Sequence, residues 1–236
     1  MNCQNEHHSH SHGRDSHDDS DHIAPPDTYE SQSLYNHIYH DHIRVLNESQ
    51  QDSGKSIFKP WEKRLDVTSI LESDVDEELL IFIPFTGLVK LHSILIRTTA
   101  DGHSPKTIKL FKSRDDLDFS SASETKPLAV LTHPEGFGVD ENIPSLDINT
   151  SSNLDEEGIA EYAVSRAAFS NITSLTMYIS ENYGEDTTKI LYIGLRGEWT
   201  QMSKNPVITI YEAAANPKDH KNLVPDTNHG YQANQG

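Results

Sequence analysis

The chain of 236 residues has a single cysteine, Cys3, and this scarcity excludes several kinds of chemistry. One thiol cannot form an intramolecular disulfide, a Cys-x-x-Cys redox pair or a zinc site built from thiolates alone. The sequence has no run of about 18 apolar residues that would predict a membrane-spanning helix. The first 30 residues are polar, acidic and rich in histidine, and they lack the apolar core of a signal peptide. We therefore expect a protein that is neither exported nor embedded in a membrane.

Basic residues are also few, with 19 Lys and Arg against 37 Asp and Glu, which gives a formal net charge of -18. A chain with this charge repels the phosphates of nucleic acids and the surfaces of anionic membranes. The balance of charge therefore predicts that neither nucleic acids nor membranes are among its partners.

The motifs of the common enzyme classes are missing: the chain has no Gly-x-Ser-x-Gly, His-Glu-x-x-His, P-loop or Gly-x-Gly-x-x-Gly pattern. The central region contains His92, His103 and His133, which we expect to be solvated or to form structural hydrogen bonds. Paired carboxylates are too common in so acidic a chain to mark an active site. We predict that the protein is not an enzyme and has no catalytic residue, no cofactor and no metal site in its folded part.

Composition divides the chain into one domain and two tails. Residues 1–33 carry almost no apolar side chains, and they are predicted to be disordered because burial would not offset the entropy lost on ordering. Apolar residues in 34–48 recur at spacings of three, four and seven, which predicts a short amphipathic helix. We expect a β-sandwich over 57–213, so that the domain covers 34–215. Residues 216–236 are predicted to form a surface tail.

Short β-branched and aromatic runs separated by turn residues fill the sandwich region. Several of them alternate, as Leu175, Met177 and Ile179 do, which is typical of a strand with one buried face. The candidate strands are 79–85, 88–97, 107–112, 128–132, 145–148, 172–180, 189–197 and 207–212. Eight short strands without alternating helices favour an all-β fold of two packed sheets, a sandwich or jelly roll.

The N-terminal tail contains six histidines among aspartates: His7, His8, His10, His12, His17 and His22. Imidazole and carboxylate groups on a flexible chain bind zinc, nickel or copper ions. A disordered segment does not hold its ligands in the fixed geometry that catalysis needs. We interpret the tail as an incidental chelator or solubilising segment, with metal-dependent regulation as the alternative.

A second acidic cluster lies just before the strand at 79–85 and consists of Glu72, Asp74, Asp76, Glu77 and Glu78. The alternate carboxylates of this cluster have a spacing that can present oxygens to calcium. The glycine and glutamate that an EF-hand loop needs at its sixth and twelfth positions are missing. A solvated acidic turn before a buried strand is therefore the favoured interpretation.

The two tryptophans lie beside basic residues, Trp61 in FKPWEKR and Trp199 in LRGEWTQ, a pattern found in anchors at binding surfaces. Packing in the core or at an edge explains the same residues. In the segment 194–199, two glycines allow close approach of the backbone or a bulge, and Arg196 offers a planar donor group to a carboxylate. A structural ion pair between Arg196 and Glu198 is the alternative there.

Four stretches of the chain carry a family resemblance: GKSIFKPWEKRLD, ESDVDEELLIFIPFTGLVKLHSILI, FSNITSLTMYISENYGEDTTKILYIGLRGEW and YEAAANPKDHK. They resemble the PITH domain, the module found at the C-terminal end of thioredoxin-like proteins that associate with the proteasome. The likeness covers about residues 36 to 220. The histidine-rich start and the missing second domain are similar to family members that lack a thioredoxin domain.

The resemblance implies a jelly-roll β-sandwich similar to galactose-binding-like domains, and a role in protein association. The redox activity of family members with a thioredoxin domain comes from the Cys-x-x-Cys of that domain, so it is not implied for this chain. The family motif defines the fold rather than contact residues, and no partner-binding residue is assigned. We expect a monomeric interaction module of the cytoplasm and nucleus, with subunits of the 26S proteasome regulatory particle as its leading partners.

An alternative function rests on analogy of fold alone, namely a small-ligand or glycan site at one end of the sandwich. The loops 98–105, 133–142 and 180–188 would line such a site if they gather at the same end. Sequence reasoning therefore leaves three hypotheses: protein association, ligand binding by these loops, and metal binding by the N-terminal tail.

Overall fold

The computed structural model describes residues 30–139 and 157–202, and strands dominate these ranges. The strands are β1 (Arg44–Leu46), β2 (Leu71–Glu72), β3 (Leu79–Thr98), β4 (Pro105–Lys112), β5 (Ala129–Thr132), β6 (Ile159–Ala163), β7 (Ile172–Asn182) and β8 (Lys189–Thr200). Helical structure in the described ranges is limited to α1 (Ser53–Ser56), α2 (Phe119–Glu124) and three 3-10 helices. The named strands all pair antiparallel, so the predicted all-β class is confirmed.

The 20-residue strand β3 connects the two layers of the fold. Its first part pairs with β1 and β7, and its second part pairs with β6 and β8. A register shift between Pro84 and Val89 marks the place where the strand passes from one layer to the other. The first layer has the order β1-β3-β7-β4-β5, and the second has the order β6-β3-β8-β2. This arrangement is the jelly-roll β-sandwich that the sequence predicts.

Side chains of the two layers alternate between the core and the outer faces. Ile81 of β3 lies opposite Met177 of β7, and both are completely buried in the main core. Their neighbours Leu80 and Tyr178 point to the outer face, where the loop after β4 and helix α2 cover them. Burial of each large apolar side chain stabilises the fold by about 1.5–3 kcal/mol. Leu80 and Tyr178, with the residues that cover them, form a second and smaller apolar cluster on the outer face of the first layer.

The helix predicted over 34–48 is wrong. The structure has 3-10 helices at Tyr35–His37 and His40–His42, followed by strand β1. The backbone N–H of Leu34 donates to the carbonyl of Leu195 at 2.9 Å, and that of Tyr39 donates to the carbonyl of Pro84 at 2.8 Å. These backbone groups bond to the sheet and not to one another, as they would in a helix. The apolar residues of 34–48 therefore recur at helical spacing because they contact the sandwich core.

The limits of the predicted domain also change. Residues 1–29 of the predicted disordered tail lie outside the described residues, but 30–33 are part of the fold. The N–H of Gly197 donates to the carbonyl of Gln32 at 2.9 Å, and Ser33 forms a β-bridge with Arg196. The sandwich begins at β1 rather than at residue 57, because β1 adds to the edge of β3.

Six of the eight candidate strands fall in the described ranges, and all six are strands. The candidates 79–85 and 88–97 form one continuous strand, β3, while β1, β2 and β6 were not predicted. The candidates 145–148 and 207–212, and the tail 216–236, lie outside the described residues. Over the described part of the chain, no helix has the length and apolar character needed to cross a membrane.

Candidate functional site

Strand β8 contains the segment 194–199 that sequence analysis selected, and Arg196 occupies a buried position in it. Its side chain is only 7% exposed, and Nη1 lies 2.5 Å from Oε1 of Glu161 on β6. The same carboxylate oxygen accepts a hydrogen bond from Ser93 on β3 at 2.6 Å. Nη2 of Arg196 donates to the side-chain oxygen of Gln32 at 3.2 Å. Arg196 therefore ties β8, β3, β6 and the N-terminal segment together.

The alternative pair between Arg196 and Glu198 is wrong. The carboxylate of Glu198 lies 3.6 Å from Nζ of Lys90 and 3.2 Å from Nε2 of His92. A β-bulge shifts the register of β3 and β8 at His92, so that Ser93 and not His92 pairs with Arg196. Burial, followed by the charge of Arg166, lowers the pKa of His92. Strand register, rather than proximity in sequence, selects these partners.

The close backbone approach expected at the glycines of β8 is confirmed at Gly197. A Cβ atom there would lie 2.3 Å from the carbonyl oxygen of Lys90. At Gly194, a Cβ atom would lie 2.5 Å from the hydroxyl of Tyr192. These glycines let neighbouring groups pack against β8, which is a structural role.

The structure places both tryptophans in packing positions. Trp199 is half-buried against the main core, and its ring stacks on His37 with centroids 4.5 Å apart. Trp61 packs beside a small apolar cluster on the outer face of the second layer. The guanidinium carbon of Arg64 lies 4.1 Å from its ring centroid. Of the two sequence interpretations, the contacts of both residues match packing.

Two buried cations, Lys59 and Arg97, were missed by sequence analysis. Nζ of Lys59 donates to the carbonyls of Asp66, Ser69 and Leu191 at 2.6, 3.4 and 3.2 Å. Arg97 donates from Nε to the carbonyl of Glu157 and from Nη1 to that of Leu65. Burial lowers the pKa of both cations. No local pattern marks such residues, because their partners are main-chain carbonyls supplied by distant segments.

His133 is completely buried and serves as a structural histidine, one of the two roles expected for it. Its Nε2 lies 2.8 Å from the carbonyl of Phe137, and its Nδ1 lies 2.6 Å from the hydroxyl of Tyr162. A carbonyl only accepts, so Nε2 carries the proton and Nδ1 accepts from the tyrosine. Burial lowers the pKa of His133 and raises that of Tyr162. The neutral imidazole is therefore the form that fits this site.

The described parts of the loops 98–105, 133–142 and 180–188 do gather at one end of the sandwich. The N–H of Tyr183 donates to the carbonyl of Gly102 at 3.0 Å, and its hydroxyl donates to the carbonyl of His133 at 2.5 Å. His103 lies beside Asp101, with Nδ1 and Oδ2 3.1 Å apart. These side chains hold the loops against one another. Residues 140–142 lie outside the described part of the chain.

The acidic cluster at 72–78 forms a turn between β2 and β3, as predicted. Asn47 organises this turn, because its Nδ2 donates to Oδ1 of Asp76 at 2.8 Å and to the carbonyl of Glu78 at 2.7 Å. Glu78 accepts a hydrogen bond from the hydroxyl of Tyr178. In residues 30–139 and 157–202, no three His, Cys, Asp or Glu side chains are grouped to hold a metal. The six tail histidines precede the described residues.

The fold and these contacts define a β-sandwich domain whose buried polar groups connect its strands and loops. The chain belongs to the PITH domain family, because the model of that domain matches residues 24–215. It is 42% identical over 197 residues to "PITH domain-containing protein 1" of Homo sapiens, covering 82% of this chain and 84% of that protein. The protein of the same name in Xenopus laevis is 41% identical over 225 residues, covering 94% and 98%. "PITH domain-containing protein CG6153" of Drosophila melanogaster is 40% identical over 220 residues, covering 93% and 95%.

Solved structures with a similar chain path include carbohydrate-binding-module domains of Clostridium perfringens. The domain CBM32-3 of a family 31 glycoside hydrolase has a TM-score of 0.44 and 12% identity, covering 72% of this chain and 98% of that one. The CBM32-1 and CBM32-2 domains of ZmpB have a TM-score of 0.45 and 14% identity, covering 73% and 38%.

Proposed function

We propose that this protein is a non-catalytic protein-association module, with subunits of the 26S proteasome regulatory particle as its leading partners. In this proposal the chain acts as a monomer in the cytoplasm and nucleus. The family resemblance stated for its motifs motivates the choice of partner, and membership of the PITH domain family supports the choice of module.

One observation carries the non-catalytic part of the proposal. In the described residues, several groups with the chemistry of an active site are engaged in holding the fold together. His133 bridges a tyrosine and a carbonyl, Arg196 joins Glu161, and Lys59 binds three main-chain carbonyls. Catalysis needs groups that reach a substrate in a suitable protonation state. Side chains committed to structural hydrogen bonds serve stability instead.

A binding assay with purified regulatory particle tests the choice of partner. The full chain, immobilised through an affinity tag, is incubated with the particle at about 0.15 M salt, where the screening length is about 8 Å. A soluble domain of similar size and net charge serves as the control. We expect saturable capture of the particle by this protein and not by the control. Equal capture by both, or none, would remove the regulatory particle as the partner.

A further inference from the structure

The outer face of the first layer contains a cleft of about 60 Å³ between β1 and the segment that follows β4. Its lining residues are Arg44, Leu46, Leu80, Phe82, Arg114, Asp115, Leu117 and Thr176. The cleft lies away from the buried network of Arg196 and from the loop end around His133.

Strand register explains why the cleft combines an apolar floor with a charged rim. Arg44 lies opposite Phe82, and Leu46 lies opposite Leu80, so all four point to the outer face. Val45, between them, packs against the main core. Leu46 is 42% exposed, although Leu80 below it is only 3% exposed. The apolar surface that the cleft leaves accessible therefore comes from Leu46 and from the half-buried ring of Phe82.

Arg44 gives the cleft its binding chemistry. Its guanidinium carbon lies 4.4 Å from the ring centroid of Phe82, and Nη2 donates to the carbonyl of Asp115 at 3.1 Å. Across the residues that the structure describes, no carboxylate lies within ion-pair distance of Arg44. Arg114, on the other side of the cleft, is different because it forms a two-bond ion pair with Asp116. Arg44 therefore has donors available at the rim of the cleft.

We propose that this cleft binds an acidic segment of a partner protein, with an aliphatic or aromatic side chain on Leu46 and Phe82 and a carboxylate on Arg44. The inference rests on the proposed protein-association function and names the surface that performs it. Arginine presents a planar pair of donors that matches a carboxylate, and it is enriched at protein interfaces. A guanidinium already stacked on an aromatic ring is also partly ordered before binding, which reduces the entropy cost.

The net charge of -18 does not oppose this partner at close range. Carboxylates more than about 8 Å from the cleft are screened at physiological ionic strength, whereas a contact with Arg44 is not. The acidic groups at the cleft are Asp115, whose main-chain carbonyl accepts from Arg44, and Asp116, whose carboxylate is paired with Arg114. We therefore expect the local contact with Arg44 to decide whether an acidic segment is accepted.

The test compares the full-length wild type with Arg44→Glu, and with Arg166→Glu as a matched control. Arg166 is also exposed, lies in the connection between β6 and β7, and does not line the cleft. The probe is an array of peptides in which leucine or phenylalanine is flanked by aspartate and glutamate, with lysine-flanked counterparts. Leu46→Asp, which keeps Arg44, is a second variant should Arg44→Glu fail to fold by circular dichroism.

We expect the wild type to bind the acidic peptides at least about tenfold more tightly than the lysine-flanked ones. Either cleft variant should lose about tenfold in affinity, and Arg166→Glu should stay within about twofold. Absence of acidic-peptide binding, or equal binding by wild type and both cleft variants, overturns the inference. The regulatory-particle assay separates the two proposals. Capture of the particle with no Arg44-dependent peptide binding removes only the cleft, and the reverse result removes only the partner.

Discussion

Arg64 and Glu157 form a two-bond ion pair, with Nε 2.8 Å from Oε2 and Nη2 2.6 Å from Oε1. Their side chains are only 13% and 5% exposed, and the ring of Trp61 lies against the guanidinium. The pair joins the segment before β2 to the residues just before β6, which are far apart in sequence. Removal of one partner would leave the other charge largely buried without its ionic partner.

The first prediction concerns this ion pair. Glu157→Gln should lower the free energy of unfolding by about 3 kcal/mol, because Arg64 keeps its charge in a buried site. Urea unfolding followed by circular dichroism measures the change. Glu198→Gln is the matched control, since the pair of Glu198 with Lys90 is 60% and 43% exposed, and such exposed pairs contribute less than about 1 kcal/mol. Equal losses in the two variants would contradict a special role for the buried pair.

The second prediction concerns pH. Burial lowers the pKa of His133 below its usual value of about 6.5, so the unfolded chain binds more protons than the folded chain as pH falls below that value. The stability contributed by neutral His133 should be fully present above about pH 6.5 and be lost as pH falls towards the lowered pKa. Urea unfolding between pH 7.5 and pH 5, in steps of about half a unit, measures the slope.

The matching variant is His133→Gln, which keeps a donor and an acceptor but does not titrate. Its stability should depend less on pH than that of the wild type, although it should be lower at pH 7.5. Some slope should remain, because the pKa of His92 is lowered in the same direction. An unchanged slope in the variant would show that His133 does not contribute.

The third prediction concerns Lys59. Lys59→Met keeps most of the apolar stem but removes the ammonium group that binds three carbonyls. The carbonyls left without a partner should lower the free energy of unfolding by about 2 kcal/mol. Lys126→Met, at an exposed position, is the control and should change stability little. Hydrogen exchange should also rise in residues 57–70, and unchanged exchange there would argue against an anchoring role for Lys59.

The fourth prediction concerns Gly197. Gly197→Ala places a methyl group where the main chain of β3 lies, so it should lower stability by about 1–3 kcal/mol. Gly136→Asn is a suitable control, because Gly136 has a φ of 69° that asparagine tolerates and has open space around it. Thermal unfolding compares the two. A larger loss for the Gly136 variant would mean that close approach at Gly197 is not the main constraint.

The strands that a local sequence pattern predicts within the described residues are present in the structure. Alternation in Leu175, Met177 and Ile179 correctly predicted β7, because successive side chains of a strand point to opposite faces. The prediction over 34–48 is wrong, because the same apolar spacing fits one amphipathic helix and a segment of two 3-10 helices and a strand that touches the core at Leu34, Ile38 and Ile43. Hydrogen bonds to the sheet decide between these two structures. A local sequence pattern does not show them, because their acceptors are distant in sequence.

In the candidate site, too, some features follow from a residue's own chemistry and others depend on the tertiary structure. Arg196 was recognised as a group that binds a carboxylate, which its chemistry alone predicts. Its partner is Glu161 rather than Glu198, because the bulge at His92 changes which residues face each other. The cleft at Arg44 was not predicted, since its lining comes from β1, β3, β7 and the segment after β4.

The amino-acid sequence by itself determined the class of fold and the family, because alternation, turn residues and motifs are properties of neighbouring residues along the chain. Only the tertiary structure decided which charges are buried in pairs, which histidine is neutral and where a cleft opens. Those features depend on strand register and on bulges, and both follow from the packing of segments that are distant in sequence.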